Sequence, residues 1–300
     1  MTIAQKIKQK ALELGFDLVG ITTAEPLSDA QAEIFKRWLE SGYAGQLAYM
    51  HKNLDKRINP AKLLDNAKSV ICVALNYKTA HPSTPAPVAT YARYEDYHPF
   101  IKNRLYRLAD YIKSICTDFR FKVCVDSVPL AERPFATRAG LGFIGKNHLL
   151  INPALGPFLL LGELITTLEL TPDKPIQNNC SACDKCIKAC PTGVLRCDGF
   201  FDANRCISYL TIEYSGQIAP AIASKIPPSL FGCDRCILAC PYADKAPPCQ
   251  NKDFKFYPGR NELNLSRLLD MNDAAFQVEF ADSPLLRAGV DKIKKIARLS

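Results

Sequence analysis

The 300-residue sequence lacks a long uninterrupted apolar run. Its longest apolar stretch, 149–165, contains an asparagine, two prolines and a glutamate, which excludes a membrane-spanning helix. The amino-terminal segment has neither an apolar signal region nor a twin-arginine pair, so we expect a cytoplasmic protein with no membrane partner. The net charge of +8 permits an anionic partner such as nucleic acid without requiring one.

The sequence also lacks a recognisable nucleotide or metal motif in its first half. The letters GLGFIG (140–145) fit the bare G-x-G-x-x-G pattern, but they follow a predicted helix and not a strand, so we interpret them as turn glycines. Asp96 and His98 match the start of the D-x-H-x-x-G cobalamin motif, but Ile101 stands at the glycine position. His51, His81 and His148 show no metal-ligand spacing. None of these features assigns a function.

Cysteine, in contrast, is abundant and unevenly distributed. Ten of the thirteen cysteines lie between Cys180 and Cys249, after a proline-containing linker at 171–175. In a chain without a secretion signal, this density favours metal or redox chemistry over disulfides. The break in composition predicts three parts, namely an α/β domain at 1–170, a cysteine-rich module at 171–259 and a short helical tail at 260–300.

The spacing of these cysteines is that of a two-cluster ferredoxin. CSACDKCIKACP (180–191) has the C-x₂-C-x₂-C-x₃-C-P pattern, in which the fourth cysteine serves the other cluster. CDRCILACP (233–241) lacks one member of this pattern, and Cys206 is the nearest candidate to supply it. The predicted ligands of the two [4Fe-4S] clusters are Cys180, Cys183, Cys186 and Cys240 for one, and Cys190, Cys206, Cys233 and Cys236 for the other. Two four-cysteine zinc sites are the alternative, although zinc ribbons need neither a third cysteine at a second x₂ step nor a proline after the last cysteine.

The remaining cysteines fall outside this pattern. We interpret Cys197 and Cys249 as bystanders, and Cys72, Cys116 and Cys124 as small buried hydrophobes.

Helical and strand patterns alternate before the linker. Helices are predicted at 3–14, 101–115 and 133–139. A further helix is predicted to begin after a capping box at Ser28, with Ile34 and Leu39 facing inward. Strands are predicted at 16–22, 70–75, 122–128, 148–151 and 158–168, the last two as a hairpin. A proline-rich loop spans 81–87. The fold class is therefore α+β, with some antiparallel pairing.

Asp126 is the candidate catalytic residue, because it directly follows a predicted buried strand. In an apolar site, burial would raise the pKa of its carboxyl and make it a proton donor near neutral pH. The alternative is that Asp126 caps the helix that follows it.

Several motifs in a fixed order resemble the epoxyqueuosine reductase family. They are VDSVPLAERPFATRAGLGFIGKNHLLIN (125–152), GPFLLLGEL (156–164), the first cluster run, RCISYLT (205–211) and FGCDRCILACP (231–241), and the resemblance begins near LDKRINP (54–60). It implies a cobalamin-dependent enzyme with two [4Fe-4S] clusters that converts epoxyqueuosine to queuosine at the tRNA wobble position. It also implies a flavin-reductase-like cobalamin-binding domain, followed by a ferredoxin-like module and a short helical tail.

The resemblance carries several residue roles. It implies that Asp126 is the proton donor and lies at the cofactor, and that Arg57 lies near the corrin. Further cofactor contacts are implied at Leu150, Leu161, Ile207 and Ser208, and tRNA contacts at Arg133 and Asn152. The implied partners are a tRNA anticodon stem-loop carrying epoxyqueuosine and an external single-electron donor.

Two features depart from the family pattern. Pro228 and Ser229 stand where many members have Asn-Arg, and the sequence ends at Ser300 where many continue into a helical-repeat domain. The basic final helix either replaces part of that domain or is a solvated helix. Two other functions remain as alternatives: a reductive dehalogenase-like cobalamin oxidoreductase and a pure two-cluster electron-transfer protein.

The cysteine pattern makes a prediction about metal content. Anaerobically reconstituted protein should contain about eight irons and about eight acid-labile sulfides. Cys206→Ser should damage one cluster in the visible absorption and paramagnetic resonance spectra, whereas Cys197→Ser should leave both intact. Two tightly bound zinc ions without labile sulfide would contradict the assignment.

Overall fold

The computed structural model describes residues 1–80, 87–261 and 263–299, so most of the predicted loop at 81–87 lies outside the described residues. The strands are β1 (Leu18–Thr23), β2 (Ser69–Asn76), β3 (Phe121–Cys124), β4 (Phe143–Ile144), β5 (Leu150–Ile151) and β6 (Leu159–Thr166). The helices of the first half are α1 (Ile3–Glu13), α2 (Asp29–Glu40), α3 (Ala48–His51), α4 (Leu54–Ile58), α5 (Tyr97–Ile115) and α6 (Glu132–Arg138). Those of the second half are α7 (Lys185–Lys188), α8 (Ile207–Ile212), α9 (Pro220–Ala223), α10 (Arg235–Leu238), α11 (Pro241–Lys245), α12 (Leu265–Asp270), α13 (Asp273–Glu279) and α14 (Val290–Ala297). Within the described residues, no helix combines the length and apolarity needed to cross a membrane.

An antiparallel four-stranded sheet in the order β1-β2-β6-β3 forms the centre of the first domain. The continuous apolar run at 70–75 becomes β2, which is buried along its whole length, as expected of a central strand covered on both faces. α1 and α5 cover one face and α6 covers the other. Gly162 allows α5 to approach closely, because a Cβ at this position would lie 2.6 Å from Ile101. The antiparallel sheet confirms the α+β class.

The predicted hairpin at 148–168 is wrong. A tight turn does form, with Asn152 bridged to Gly156, but the two strands then separate into different sheets. β5 pairs with β4 in a small ribbon, whereas β6 joins the central sheet between β2 and β3. Partners that are distant in sequence therefore determine the pairing.

Two other local predictions also fail because of tertiary packing. The capping box of α2 is present, but Ile34 is 61% exposed and Leu39 is the buried residue of the helix. This helix packs through its carboxyl-terminal end, where the Trp38 indole donates to the Phe201 carbonyl (2.6 Å). β3 ends at Cys124, four residues earlier than predicted, because the chain turns sharply at Asp126.

The cysteine-rich module packs against the first domain. Ile237, Cys240 and Ala243 belong to the same apolar cluster as α1 and α5. Bridges between Val88 and Phe231, and between Tyr94 and Phe256, join backbone segments of the two parts. The two parts therefore share buried surface.

The carboxyl-terminal region is folded onto both parts and is not a solvated tail. Ile293 and Phe276 pack with Val88 of the first domain and Phe231 of the module. Two basic residues of α14 bind backbone carbonyls: Lys292 donates to Ile212 (2.6 Å), and Lys295 donates to Ser215 (3.2 Å) and Gly216 (2.6 Å). These ammonium groups are therefore engaged within the protein.

We expect this region to contribute to global stability. Ile293 is 1% exposed, so Ile293→Ala should lower the free energy of unfolding by about 2–5 kcal/mol in urea titrations, through lost burial and a new cavity. Val278, which is 81% exposed, provides the control: Val278→Ala should change it by less than about 0.5 kcal/mol. Equal effects of the two substitutions would show that 260–299 does not belong to the cooperative fold.

Candidate active site

Four of the predicted cluster cysteines line one cavity. Cys180, Cys183, Cys186 and Cys240 surround a volume of about 350 Å³ that Lys146 and Tyr242 also line. The pKa of the Cys186 thiol is raised, first by burial and then by the nearby charges of the other three thiols. The Lys146 backbone N–H points at the Cys180 sulfur (3.4 Å), as N–H groups do around iron–sulfur clusters.

The other four cysteines form a second, adjacent group. Burial and the charges of Cys233 and Cys206 raise the pKa of Cys236. Burial and the nearby charge of Cys190 raise the pKa of Cys206. Burial raises the pKa of Cys190, but hydrogen bonds from Thr192 and from backbone N–H groups outweigh it, so the net pKa is lowered. Cys186 of the first group contacts the second. Two groups of four thiols therefore lie side by side.

This arrangement fits two multinuclear clusters. All thirteen cysteines are free, and Cys197, the predicted bystander, is exposed. A cavity of about 350 Å³ bordered by four thiols accommodates an inorganic cluster of several atoms.

Asp126 lies in a sharp turn between β3 and α6. Its backbone is left-handed (φ 50°), a conformation that costs a non-glycine residue about 1–3 kcal/mol and that clusters at functional sites. Its N–H donates to Glu132 Oε1 (2.7 Å). The helix-capping alternative is wrong, because Ala131 occupies the N-cap of α6 and no side chain caps it. The Asp126 carboxylate is therefore free for other contacts.

That carboxylate faces a histidine. Asp126 Oδ2 lies 2.9 Å from His98 Nε2, and the opposite ring nitrogen lies 2.6 Å from Asp96 Oδ1. Asp96 is also the N-cap of α5, which fixes its position. Arg287, from the carboxyl-terminal region, reaches both His98 (2.9 Å) and Asp96 (3.3 Å). The result is an Asp–His–Asp array with one arginine at its edge.

The expected rise in the pKa of the Asp126 carboxyl is wrong. Burial does raise the pKa of Asp126, but the His98 hydrogen bond and the positive charges of His98 and Arg287 outweigh it, so the pKa lies below its usual value. Burial lowers the pKa of His98, but its two aspartate partners outweigh that effect and raise it. These directions favour a protonated His98 and an ionised Asp126.

Arg57 lies close to the Asp126 turn. It is 8% exposed, its Nη2 donates to the Tyr49 carbonyl (3.0 Å), and its own carbonyl accepts the Ala131 N–H (2.9 Å). Its Nε is buried and has no hydrogen-bond partner among the described residues. His148 Nε2, near the other side of α6, is likewise buried and without such a partner. Uncommitted buried polar atoms of this kind fit a site for a large polar ligand.

The remaining cofactor residues predicted from the sequence are apolar or half-buried. Leu150 and the half-buried Leu161 belong to one apolar cluster that also includes residues neighbouring Arg57 and Asp126. The outer end of β6, where Leu161 lies, is less buried than the rest of that strand. Ile207 and Ser208 begin α8, directly after Cys206, and no described contact joins them to Leu150.

The two residues expected to face tRNA differ. Arg133 is exposed and donates to the His148 carbonyl. Asn152 is 6% exposed, its amide donates to the Leu141 carbonyl (2.8 Å), and its oxygen accepts the Ala154 (2.9 Å) and Leu155 (3.1 Å) N–H groups. The expected tRNA contact through the Asn152 side chain is therefore wrong, because the turn already uses that side chain.

Sequence analysis missed three residues of the array: His98, Asp96 and Arg287. Asp96 and His98 were noticed only as a failed cobalamin motif, although their i, i+2 spacing at the start of a helix was a usable signal. Arg287 follows Asp126 by more than 150 residues and carries no local motif. Only the folded chain brings it to the site.

Comparison with known proteins gives two family matches. Residues 57–127 match the model described as epoxyqueuosine reductase QueG, DUF1730, and residues 179–243 match a 4Fe-4S double cluster binding domain. The epoxyqueuosine reductase of Leadbetterella byssophila is 37% identical over 294 residues, covering 97% of this chain and 96% of that protein.

Solved structures give the same result. The epoxyqueuosine reductase of Streptococcus thermophilus superposes with a TM-score of 0.92 at 31% identity, covering 100% of this chain and 80% of that one. An epoxyqueuosine reductase with an epoxyqueuosine-modified tRNA-Tyr stem loop gives 0.91 at 30% identity, covering 98% and 80%. The Bacillus subtilis enzyme, with its catalytic aspartate loop swung out of the active site, gives 0.90 at 30%, covering 98% and 80%.

A reductive dehalogenase linked to B12-dependent dehalogenation gives a TM-score of 0.50 at 15% identity, covering 98% of this chain and 35% of that one. This likeness concerns the fold alone. The identity to a relative of nearly equal length, the two family matches and the high structural similarity agree with one another. The chain belongs to the epoxyqueuosine reductase family.

Proposed function

We propose that this protein reduces epoxyqueuosine to queuosine in tRNA. The observation in the structure that supports this chemistry most directly is the Asp126 carboxylate, 2.9 Å from His98 Nε2 and just after the end of β3. The relative solved with an epoxyqueuosine-modified stem loop supports tRNA as the substrate.

The chemistry requires both electrons and protons. Removing an epoxide oxygen as water and leaving a carbon–carbon double bond consumes two electrons and two protons. The double cluster domain suits one-electron delivery, because each [4Fe-4S] cluster carries one electron at a time. Its proposed ligands are the two groups of four cysteines described above. The donor that reduces them is an external single-electron carrier.

Cobalamin is the proposed second cofactor. When bound, its cobalt supplies a strong reductant and nucleophile for opening the epoxide. Arg57 and His148 offer uncommitted polar atoms to it, and Leu150 and Leu161 offer an apolar surface. Ile207 and Ser208 are proposed contacts where the cluster module begins α8. In this assignment residues 1–170 form a flavin-reductase-like cobalamin domain, 171–259 the cluster module and 260–300 a helical carboxyl-terminal segment.

The protein's own contribution is proton transfer. Asp126 lies between His98 and the open side of the site, because its side chain is 54% exposed and that of His98 is 12% exposed. A proton that moves from His98 to Asp126 can be handed to the departing oxygen, and Asp96 stabilises the positive charge on His98 before the transfer. A tRNA substrate also implies a cytoplasmic location.

Asp126→Asn provides the test of proton donation. Asparagine tolerates the left-handed backbone but cannot relay a proton, so the single-turnover rate on an epoxyqueuosine-containing stem-loop should fall by about 10²–10⁴-fold. Visible spectra should show that clusters and corrin are retained. A rate within about threefold of the unmodified protein would rule out Asp126 as the donor.

Proton storage on His98 predicts a pH dependence. The raised pKa means that His98 stays protonated above pH 6.5, and the rate should fall as the pH rises through this raised value, because the proton is then lost before transfer. His98→Gln should abolish this alkaline fall at a lower overall rate. If the fall in rate at high pH persists in His98→Gln, a group other than His98 causes it.

Arg133 is the proposed contact with the tRNA backbone. Stem-loop affinity should fall steeply between about 50 and 200 mM salt, because phosphate contacts release counterions. Arg133→Glu should weaken binding and reduce the salt dependence without bleaching the clusters. Lys36→Glu makes the same charge change at an exposed residue of α2 and should have little effect. Equal losses in both variants would mean that net charge alone governs binding.

A further inference from the structure

Glu163 is a carboxyl group in the middle of the central sheet. It is 0% exposed, and Cys72 on β2 and Cys124 on β3 lie opposite it in the strand register. Neither carboxyl oxygen receives a hydrogen bond from an N–H or O–H group of the described residues. An ionised carboxylate in such a place is costly, and burial followed by the charge of Glu132 raises the pKa of Glu163 well above its usual value. Burial therefore favours the protonated form of Glu163.

The candidate acceptor for that proton is the carboxyl of Glu132, at the start of α6. The carboxyl groups of Glu132 and Glu163 lie near enough to interact, and a bond between two carboxyl groups requires a proton on one of them. Glu132 Oε1 accepts the Asp126 N–H at 2.7 Å. Glu132 thus lies next to both Glu163, at the centre of β6, and the backbone of Asp126.

The Asp126 turn needs such an anchor. Its left-handed backbone is intrinsically unfavourable, and such a conformation persists only where neighbouring groups impose it. The Glu132 hydrogen bond engages the amide of this strained residue itself. In the Bacillus subtilis relative the catalytic aspartate loop is found swung out of the active site, so in that enzyme the loop has an alternative position.

We propose that Glu132 and Glu163 are positioning residues, which together hold the Asp126 loop in the active site. Glu163 orients Glu132 by donating its O–H, and Glu132 holds the Asp126 amide. The consequence for turnover rests on the proposed role of Asp126 as proton donor, whereas the consequence for the loop does not.

A purely structural role predicts a different outcome at Glu163. Replacing a buried polar group by an apolar side chain of similar size is often neutral or stabilising. Glu163→Leu should therefore preserve or raise the melting temperature. If Glu163 positions the loop, the same variant should nevertheless loosen Asp126.

The experiment measures the protection of the Asp126 amide from hydrogen exchange in the reconstituted full-length protein, together with the single-turnover rate and the stem-loop Kd. Glu132→Ala should lower protection by roughly 10- to 100-fold, the equivalent of one hydrogen bond to a charged group, and should lower the rate without changing Kd. Glu132→Gln keeps an acceptor oxygen, and Glu163→Gln keeps a donor N–H. Both should stay within about threefold of the unmodified protein.

The outcomes separate the two proposals. Unchanged Asp126 protection in Glu132→Ala would overturn the anchor, whatever happens to the rate. Loss of protection in Glu132→Ala with an unchanged rate would support the anchor but refute Asp126 as proton donor. Unchanged protection in a folded Glu163→Leu variant would remove Glu163 from the proposal. If Glu163→Leu does not fold, Glu163→Gln provides the test, and loss of protection in that variant would contradict orientation of Glu132 by a donor group at position 163.

Discussion

The hydrogen bond from the Asp126 amide to Glu132 connects the end of β3 to the start of α6 and constrains the turn that carries the candidate catalytic carboxylate. This bond engages the backbone N–H of Asp126, whose backbone is left-handed and which lies just after the end of β3. A small movement of this turn would displace the Asp126 carboxylate. The sheet supplies the rigidity, because β2 and β6 are central strands covered on both faces. The Asp126 turn is thus joined to α6, which packs on that sheet.

The charges around Asp126 differ from those of a simple buried acid. Half of its side chain is exposed, and His98 and Arg287 provide positive charge, so the carboxylate is the stable form. His98 is held between two aspartates, which favours its protonated form. The two pKa shifts therefore favour His98 over Asp126 as the protonated member of the pair.

The second half of the chain contributes more than electron transfer. The cysteine module shares an apolar cluster with the first domain, so its two groups of thiols are fixed relative to the central sheet. The region after it packs on both parts and brings Arg287 to His98. Lys292 and Lys295 of α14 are bound to backbone carbonyls, so these two ammonium groups serve the packing of that helix.

The sequence by itself determined the features that depend on residues close together in the chain. Iron–sulfur ligands require cysteines at short fixed spacings, so the two motifs were readable, and the capping box of α2 and the apolar run of β2 were equally local. Tertiary structure decided everything that depends on distant neighbours. It exposed Ile34, buried Asn152, separated β5 from β6 and brought Arg287 to Asp96. It also reversed the expected shift of the Asp126 pKa, because a pKa depends on the charges and burial that surround a group in space, and these are set only when the chain is folded.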